Sequence, residues 1–304
     1  SKILILGYHR VVNEDEENPF FKGVSTKHFK EEINYISQNY NILPLEQIIR
    51  YLKKRKSLPN YTAAVTFDDG YRNNFTNAFP VLKNQNIPAT IFLTVDFIES
   101  GDVPWWDKVS YLYKRDSSHF EDIFCNFVND DSFEGLSKVL NCLKKFPNKN
   151  RQSVVQHLSD YFELQSSLDK EPRLMLEWRE IREMGKSGIS FGSHTLHHPI
   201  LTNVNKKILV QELTESRKIL SCKLKNYIDV LAYPNGAYDN SVVNAAKQVG
   251  YEAAVGTGRR LHSIEDDLFT MNRILFDDIP ISYFKSEISG TLTIFRQLLN
   301  TFLW

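Results

Sequence analysis

Short apolar runs alternate along this chain with amphipathic helical patterns. Runs of four to seven mostly apolar residues are typical of buried strands, and apolar positions spaced three or four apart are typical of helices. The predicted strands are Lys2–Tyr8, Ala63–Phe67, Ala89–Val95, Ile189–Gly192, Val230–Tyr233 and Ala253–Gly256. The predicted helices among them are His28–Asn39, Leu45–Lys56, Asn73–Gln85, Lys206–Cys222 and Ser241–Val249.

This alternation predicts an α/β fold with a parallel sheet and crossover helices. Clusters of polar residues repeatedly follow a strand, and the carboxyl ends of barrel strands are where chemistry collects. We therefore expect a (β/α) barrel over a single domain, 1–304. An open, doubly wound sheet is the alternative.

The alternation of strand and helix patterns is interrupted between about residues 100 and 175. This segment begins with Pro104-Trp105-Trp106-Asp107 and continues with mixed-charge helical sequence. It predicts a largely helical insertion, which either covers the rim of the barrel and shapes a substrate groove or only buttresses the outside.

The last residues, about 291–304, form a second amphipathic pattern. Apolar residues at 294, 295, 298, 299, 302 and 303 make one stripe of a predicted helix. The stripe either packs on the domain or contacts a membrane surface or a partner.

Charge and cysteine content narrow the class of protein. The 304 residues include 37 basic and 37 acidic side chains, so the chain lacks the basic footprint of a nucleic-acid binder. Its three cysteines form no CxxC pair, which argues against a disulfide framework. Without a visible signal peptide or spanning segment, the predicted location is the cytoplasm or the cytoplasmic face of the membrane.

Two acidic residues stand side by side at the end of the second predicted strand, in TFDDGY (Thr66–Tyr71). Adjacent carboxylates repel each other, so both must be paired or solvated. An Asp-Gly turn accounts for the second Asp and the glycine equally simply.

Three imidazoles follow a later strand, in SHTLHHP (Ser193–Pro199). On a helical turn, His194 and His198 would share one face because they are four positions apart. Two neutral imidazoles and one carboxylate are a common set of catalytic metal ligands. His197 is out of phase with the pair and is expected outside the ligand set or exposed.

TFDDGY, SHTLHHP and AYPNG (Ala232–Gly236), in this order and at strand ends, resemble the polysaccharide deacetylase family, which is defined by NodB homology. YHRV (Tyr8–Val11) resembles its circularly permuted branch, which includes poly-N-acetylglucosamine deacetylases. The resemblance runs from Ile3 to about Asp278 and covers the insertion least. It implies a distorted (β/α) barrel with fewer than eight strands.

The resemblance also implies a reaction, the removal of an acetyl group from an N-acetylated sugar in a glycan or glycan precursor. Asp68 matches the general base, and Asp69, His194 and His198 match the ligands of a divalent metal. Zinc is expected first, with Co²⁺, Ni²⁺, Mn²⁺ or Fe²⁺ as alternatives. His9 matches the general acid of the permuted branch.

Three further roles follow from the resemblance. The backbone amide of Asn235 falls where an oxyanion is held, and Tyr71, Tyr233 and Pro234 are expected along the substrate groove. Where many members carry an arginine that orients the base, this chain has Ala232. Arg273, from a later strand, is the proposed substitute.

Two other functions remain open. A non-catalytic carbohydrate-binding module of this fold would explain Ala232, and a metal-dependent hydrolase could act on another amide or ester. The expected partner is an N-acetylated saccharide, with no nucleic acid, and the C-terminal helix offers a peripheral membrane contact.

Overall fold

The computed structural model describes residues 2–14, 20, 23–129, 133–258 and 260–289. The helix expected at about 291–304 lies outside the described residues. No helix in the described ranges has the length and apolar character needed to span a bilayer.

Strands form a closed barrel. The strands are β1 (Lys2–Tyr8), β2 (Val11–Val12), β3 (Val24–Ser25), β4 (Asn41–Ile42), β5 (Thr62–Phe67), β6 (Ala89–Leu93), β7 (Ile189–Ser193), β8 (Tyr227–Ala232), β9 (Ala253–Thr257), β10 (His262–Ser263) and β11 (Met271–Leu275). Seven of them pair in parallel in the order β1-β11-β9-β8-β7-β6-β5, and β5 pairs with β1 again to close the ring.

The predicted fold class, a distorted (β/α) barrel with fewer than eight strands and a helical insertion, is thereby confirmed. The open sheet is wrong because the six hydrogen-bonded pairs between β1 and β5 leave neither strand at an edge. The strands predicted from apolar runs did not include one barrel strand, β11, because its sequence MNRIL carries an arginine in its middle.

Helices surround the barrel. They are α1 (Thr26–Asn39), α2 (Leu45–Lys53), α3 (Phe79–Asn84), α4 (Val95–Ser100), α5 (Trp105–Arg115), α6 (Ser117–Val128), α7 (Leu136–Lys145), α8 (Asn148–Tyr161), α9 (Leu164–Leu168), α10 (Trp178–Gly185), α11 (Lys206–Lys223), α12 (Asn240–Val249) and α13 (Ile281–Ile288). A π-helical turn, Asn74–Ala78, precedes α3, where one continuous helix had been predicted.

The helical insertion, α5 to α9, has an apolar core of its own. Buried residues of all five helices pack together, including Val109, Phe120, Leu143, Leu158 and Leu164. Tyr71, from the loop after β5, belongs to the same cluster. The insertion is therefore anchored on the rim of the barrel beside the Asp-Asp segment.

Large side chains fill the barrel interior, and they leave room only for small residues on the neighbouring strands. Phe92 on β6 is fully buried, and a Cβ at Gly192 on β7 would lie 2.5 Å from its ring and 2.9 Å from the Val230 carbonyl oxygen. Glycine is therefore the residue that fits at position 192. The guanidinium of Arg273 lies 5.2 Å from the centre of the Phe92 ring, so an arginine also occupies the interior.

Candidate active site

Three potential metal ligands converge at the carboxyl ends of two strands. Asp69 follows β5, whereas His194 and His198 follow β7. One ligand atom from each lies within 4.8 Å of the others, and all three residues are buried. These residues are the carboxylate and the two imidazoles that the sequence analysis placed together.

A loop, and no helix, brings the two histidines together. Residues 194–200 are irregular, and both Thr195 (φ 70°) and His198 (φ 57°) adopt left-handed backbone conformations. Asp69 does so as well (φ 70°). Such conformations cost non-glycine residues about 1–3 kcal/mol each and collect at functional sites. The helical-turn argument for the pair was therefore wrong in its geometry.

The protonation of His194 suits a metal ligand. Its Nδ1 donates to the carbonyl oxygen of Ala232 at 2.8 Å, which leaves the lone pair of Nε2 directed into the site. Burial, as the largest cause, lowers the pKa of His194 to about 4. Burial also lowers the pKa of His198 well below its ordinary value. Both imidazoles are therefore neutral at pH 7, the form that binds a cation.

The spacing of the donor atoms fits one tetrahedral ion. His194 Nε2 and His198 Nε2 are 3.1 Å apart, and Asp69 Oδ1 is 3.5 Å from each. Two ligand atoms at about 2.1 Å from one tetrahedral ion lie about 3.4 Å apart. Asp69 Oδ1 is buried and has no hydrogen-bond donor among the described residues. A divalent cation would meet that unmet demand.

Asp68 is held by an arginine from the opposite end of the chain. Arg273 donates from its two terminal nitrogens to the two oxygens of Asp68, at 2.6 and 2.7 Å, and also to Thr66 Oγ1 at 3.2 Å. Burial raises the pKa of Asp68, but the charge of Arg273 and its hydrogen bonds outweigh that effect and hold the pKa well below its ordinary value. Asp68 is thus a fixed carboxylate beside the ligand set.

His9 and Asn235 both line one cavity with the candidate ligands. His9 follows β1, and its backbone oxygen accepts from Asn74 Nδ2 at 2.8 Å. Burial lowers the pKa of the His9 imidazole, and the charge of Asp68 raises it in part. Asn235 is exposed in a short 3₁₀ turn after β8, in a left-handed conformation (φ 55°).

The cavity that these residues share has a volume of about 470 Å³. Tyr71 and Tyr233 line it, although both are almost fully buried. The Tyr233 hydroxyl donates to the carbonyl oxygen of Phe269 at 3.0 Å. Pro234 is buried and is not among the described residues that line the cavity, so the structure does not bring it to the predicted groove.

The insertion contributes side chains that the sequence analysis did not assign to the site. The ring of Trp106 lies 4.7 Å from that of His198, and its Nε1 donates to the Tyr71 hydroxyl at 2.7 Å. That hydroxyl donates to buried Asp107 at 2.6 Å. The only signal was the Trp-Trp-Asp cluster at the start of the insertion, which fits an ordinary helical core equally well.

His197 lies outside the ligand set. It is exposed, and its Nδ1 is 2.7 Å from Glu212 Oε1, whose hydrogen bond is the largest cause of a raised His197 pKa. Glu212 Oε2 also accepts from the backbone N–H groups of Leu196 and His197. Glu212 thereby fixes the loop between the two candidate ligands.

Comparison with known proteins identifies the family. The family model described as Polysaccharide deacetylase matches residues 55–254. A poly-beta-1,6-N-acetyl-D-glucosamine N-deacetylase of Staphylococcus epidermidis is 28% identical over 218 residues, which cover 63% of this chain and 72% of the relative. The range that the family model matches contains both the Asp-Asp segment and the histidine loop.

Two solved structures share the fold. The deacetylase PplD of Streptococcus pyogenes, in complex with acetate, superposes with a TM-score of 0.63 at 20% identity, covering 91% of this chain and 93% of the other. IcaB from Ammonifex degensii gives 0.60 at 18% identity, covering 94% and 95%. With the family model spanning more than half of its residues, the chain belongs to the polysaccharide deacetylase family.

Proposed function

We propose that this protein is a metal-dependent N-deacetylase that removes the acetyl group from an N-acetylated sugar of a glycan or glycan precursor. The observation that carries the proposal is one cavity holding an Asp-His-His ligand set beside a carboxylate fixed by an arginine. Membership of the polysaccharide deacetylase family and the names of the relatives support a glycan as substrate.

Asp69, His194 and His198 would hold the cation, and a bound divalent cation supplies Lewis-acid polarisation of the acetamide carbonyl. Zinc is the proposed ion, since catalytic zinc sites use two imidazoles and one carboxylate. The two imidazoles are constrained by the fold, because the Ala232 carbonyl oxygen accepts from the ring of His194 and Trp106 packs against that of His198.

Asp68 is the proposed general base. Its lowered pKa keeps it ionised at neutral pH, and Arg273 fixes the direction of its two oxygens. It accepts a proton from the water that attacks the acetyl carbon, and acetate is the product that leaves. Proton transfer of this kind contributes about 10²- to 10⁴-fold to a rate.

His9 is the proposed general acid, which delivers a proton to the sugar nitrogen as the carbon–nitrogen bond breaks. It lines the cavity with Asp68, so both groups face one substrate. The backbone N–H of Asn235 is the proposed donor to the carbonyl oxygen as negative charge develops there. Removing one such donor typically costs about 3–4 kcal/mol.

The test is acetate release from N-acetylglucosamine oligosaccharides by protein that is stripped of metal and then reloaded with zinc. We expect activity only after reloading. Asp69→Ala should lose bound zinc and activity together, whereas Asp68→Asn should retain zinc and lose turnover. Metal content is measured by atomic emission, so binding is read independently of activity.

Two results would contradict this assignment. Full zinc occupancy in Asp69→Ala would remove Asp69 from the ligand set, and near-normal turnover in Asp68→Asn would remove its role as base. Zinc binding with no acetate release from any saccharide would favour the non-catalytic binding module.

A further inference from the structure

Two cationic side chains of the insertion line the cavity in addition to the proposed catalytic residues. Lys144 lies in the last turn of α7, and Arg151 lies near the start of α8. Only two residues separate the two helices, so both side chains reach the same wall. Lys144 is exposed at the rim, whereas the side chain of Arg151 is only 3% exposed.

Arg151 has few partners for a buried charge. One terminal nitrogen donates to Asn148 Oδ1 at 2.6 Å, and the guanidinium lies 5.0 Å from the ring centre of Trp105. Within the described ranges, no carboxylate forms an ion pair with Arg151 or Lys144. Burial is accordingly the cause that lowers the pKa of Arg151.

Among the residues that the structure describes, the rest of the cavity lining offers these cations no spare negative charge. Its two lining carboxylates are Asp68, which is engaged by Arg273, and Asp69, which belongs to the ligand set. A guanidinium has five N–H donors in a planar fork, and buried charges are normally paired. The contact with Trp105 offsets only part of the cost of burial. The unmet demand is therefore for an anion that enters the cavity.

We propose that Arg151 and Lys144 form an oxyanion subsite, and that the substrate is an N-acetylated sugar that carries a phosphate or a carboxylate near its acetamide. This inference rests on the proposed function and names the substrate class of the same site. The guanidinium fork matches both oxyanions in a bidentate arrangement, and Lys144 adds a point charge at the rim.

The experiment compares the release of acetate from three saccharides by the zinc-loaded protein. They are a neutral N-acetylglucosamine oligosaccharide, UDP-N-acetylglucosamine as the phosphate probe, and a hyaluronan oligosaccharide as the carboxylate probe. Arg151→Gln should lower kcat/KM for the preferred anionic substrate by about 10- to 100-fold, the loss typical of one charged hydrogen bond, and by much less for the neutral one. The probe that responds distinguishes phosphate from carboxylate.

Three further variants sharpen the comparison. Lys144→Gln should reduce the same selectivity by a smaller factor, and Arg151→Lys should restore part of it because the charge returns. Lys149→Gln is the matched control, since Lys149 is an exposed cation on α8 that does not line the described cavity. It should change neither rate.

An equal loss on neutral and anionic substrates in Arg151→Gln would overturn the subsite and leave the deacetylase assignment intact. So would a wild-type enzyme with no preference for either anionic probe. Acetate release from no substrate would overturn the proposed function instead. Calorimetric binding of the two anionic probes then decides the subsite: affinity that falls in Arg151→Gln supports it, and binding unchanged by the variant, or absent, contradicts it.

Discussion

Arg273 is the residue whose role the sequence indicated least directly. Ala232 stands where the resemblance implied an arginine that orients the base, and its backbone oxygen instead accepts from His194. Arg273 reaches Asp68 from β11, a strand that hydrophobic patterning missed because a charged residue interrupts it. Burying an arginine inside a barrel costs desolvation free energy that only an oppositely charged partner offsets, and Asp68 is that partner.

Replacing the fork of Arg273 tests this arrangement. Arg273→Lys keeps a positive charge but cannot bond both oxygens of Asp68, so we expect kcat to fall roughly 10- to 100-fold while zinc content is unchanged. Steady-state kinetics and metal analysis measure the two effects. Arg260→Lys, at an exposed ion pair with Asp266, is the control. Wild-type kcat in Arg273→Lys would show that Asp68 needs no bidentate partner.

The pH–rate profile tests His9. The acid must carry a proton, and burial lowers its pKa, so kcat/KM of the free enzyme should fall as pH rises through a value below the ordinary histidine pKa of about 6.5. His9→Ala should lower the rate and flatten this descending limb. His28→Ala, at a histidine paired with Asp278 away from the cavity, should keep the limb. Persistence of the limb in His9→Ala would assign the acid elsewhere.

At the scale of elements, a buried polar contact lies in the apolar interface between α1 and the barrel. The Tyr8 hydroxyl of β1 donates to Glu32 Oε2 of α1 at 2.8 Å, and Glu32 is fully buried. Burial raises the pKa of Glu32 to about 8, so this side chain is protonated in the folded protein at neutral pH. The junction between α1 and β1 therefore depends on pH.

We expect the free energy of unfolding to depend on pH through Glu32. Glu32 binds a proton more tightly when folded than when unfolded, so the free energy of unfolding falls as pH rises from about 4.5 to about 8 and levels off above. Each unit of pKa difference contributes about 1.4 kcal/mol. Glu32→Gln should flatten this slope in urea unfolding measured across that range. Glu31→Gln should retain it, and an unchanged slope in Glu32→Gln would exclude Glu32 as the titrating group.

The scale of elements also shows where sequence patterning reached its limit. Strands such as β1 and β5 are uninterrupted apolar runs, buried on both faces, and their bounds were predicted to within one residue. Two-residue strands such as β4 have no periodicity to detect. The histidine loop has no sequence periodicity either, because Thr195 and His198 adopt left-handed backbone conformations that belong to no helix or strand. Residue types thus indicated the ligand set, while the backbone that assembles it was not predictable.

For the whole molecule, the candidate ligand set connects separate parts of the barrel. Asp69 follows β5 and the two histidines follow β7, with β6 between them. Zinc that binds only the folded form should therefore raise the thermal unfolding midpoint, with about 2.7 kcal/mol of stabilisation at 100 times Kd. Differential scanning calorimetry with and without zinc measures the shift. Asp69→Ala should abolish it, and an equal shift in that variant would place the binding site elsewhere.

The pairing of Asp68 with Arg273 has a consequence for biosynthesis. The two residues are 205 positions apart, and the ribosome delivers the chain from its N-terminal side, whereas a domain generally folds as a unit. All three candidate ligands are translated before Arg273. A nascent chain halted ahead of β11 would thus contain every metal ligand yet lack the clamp on its base. The protein would become competent for catalysis only once β11, the last barrel strand to be synthesised, lies between β9 and β1.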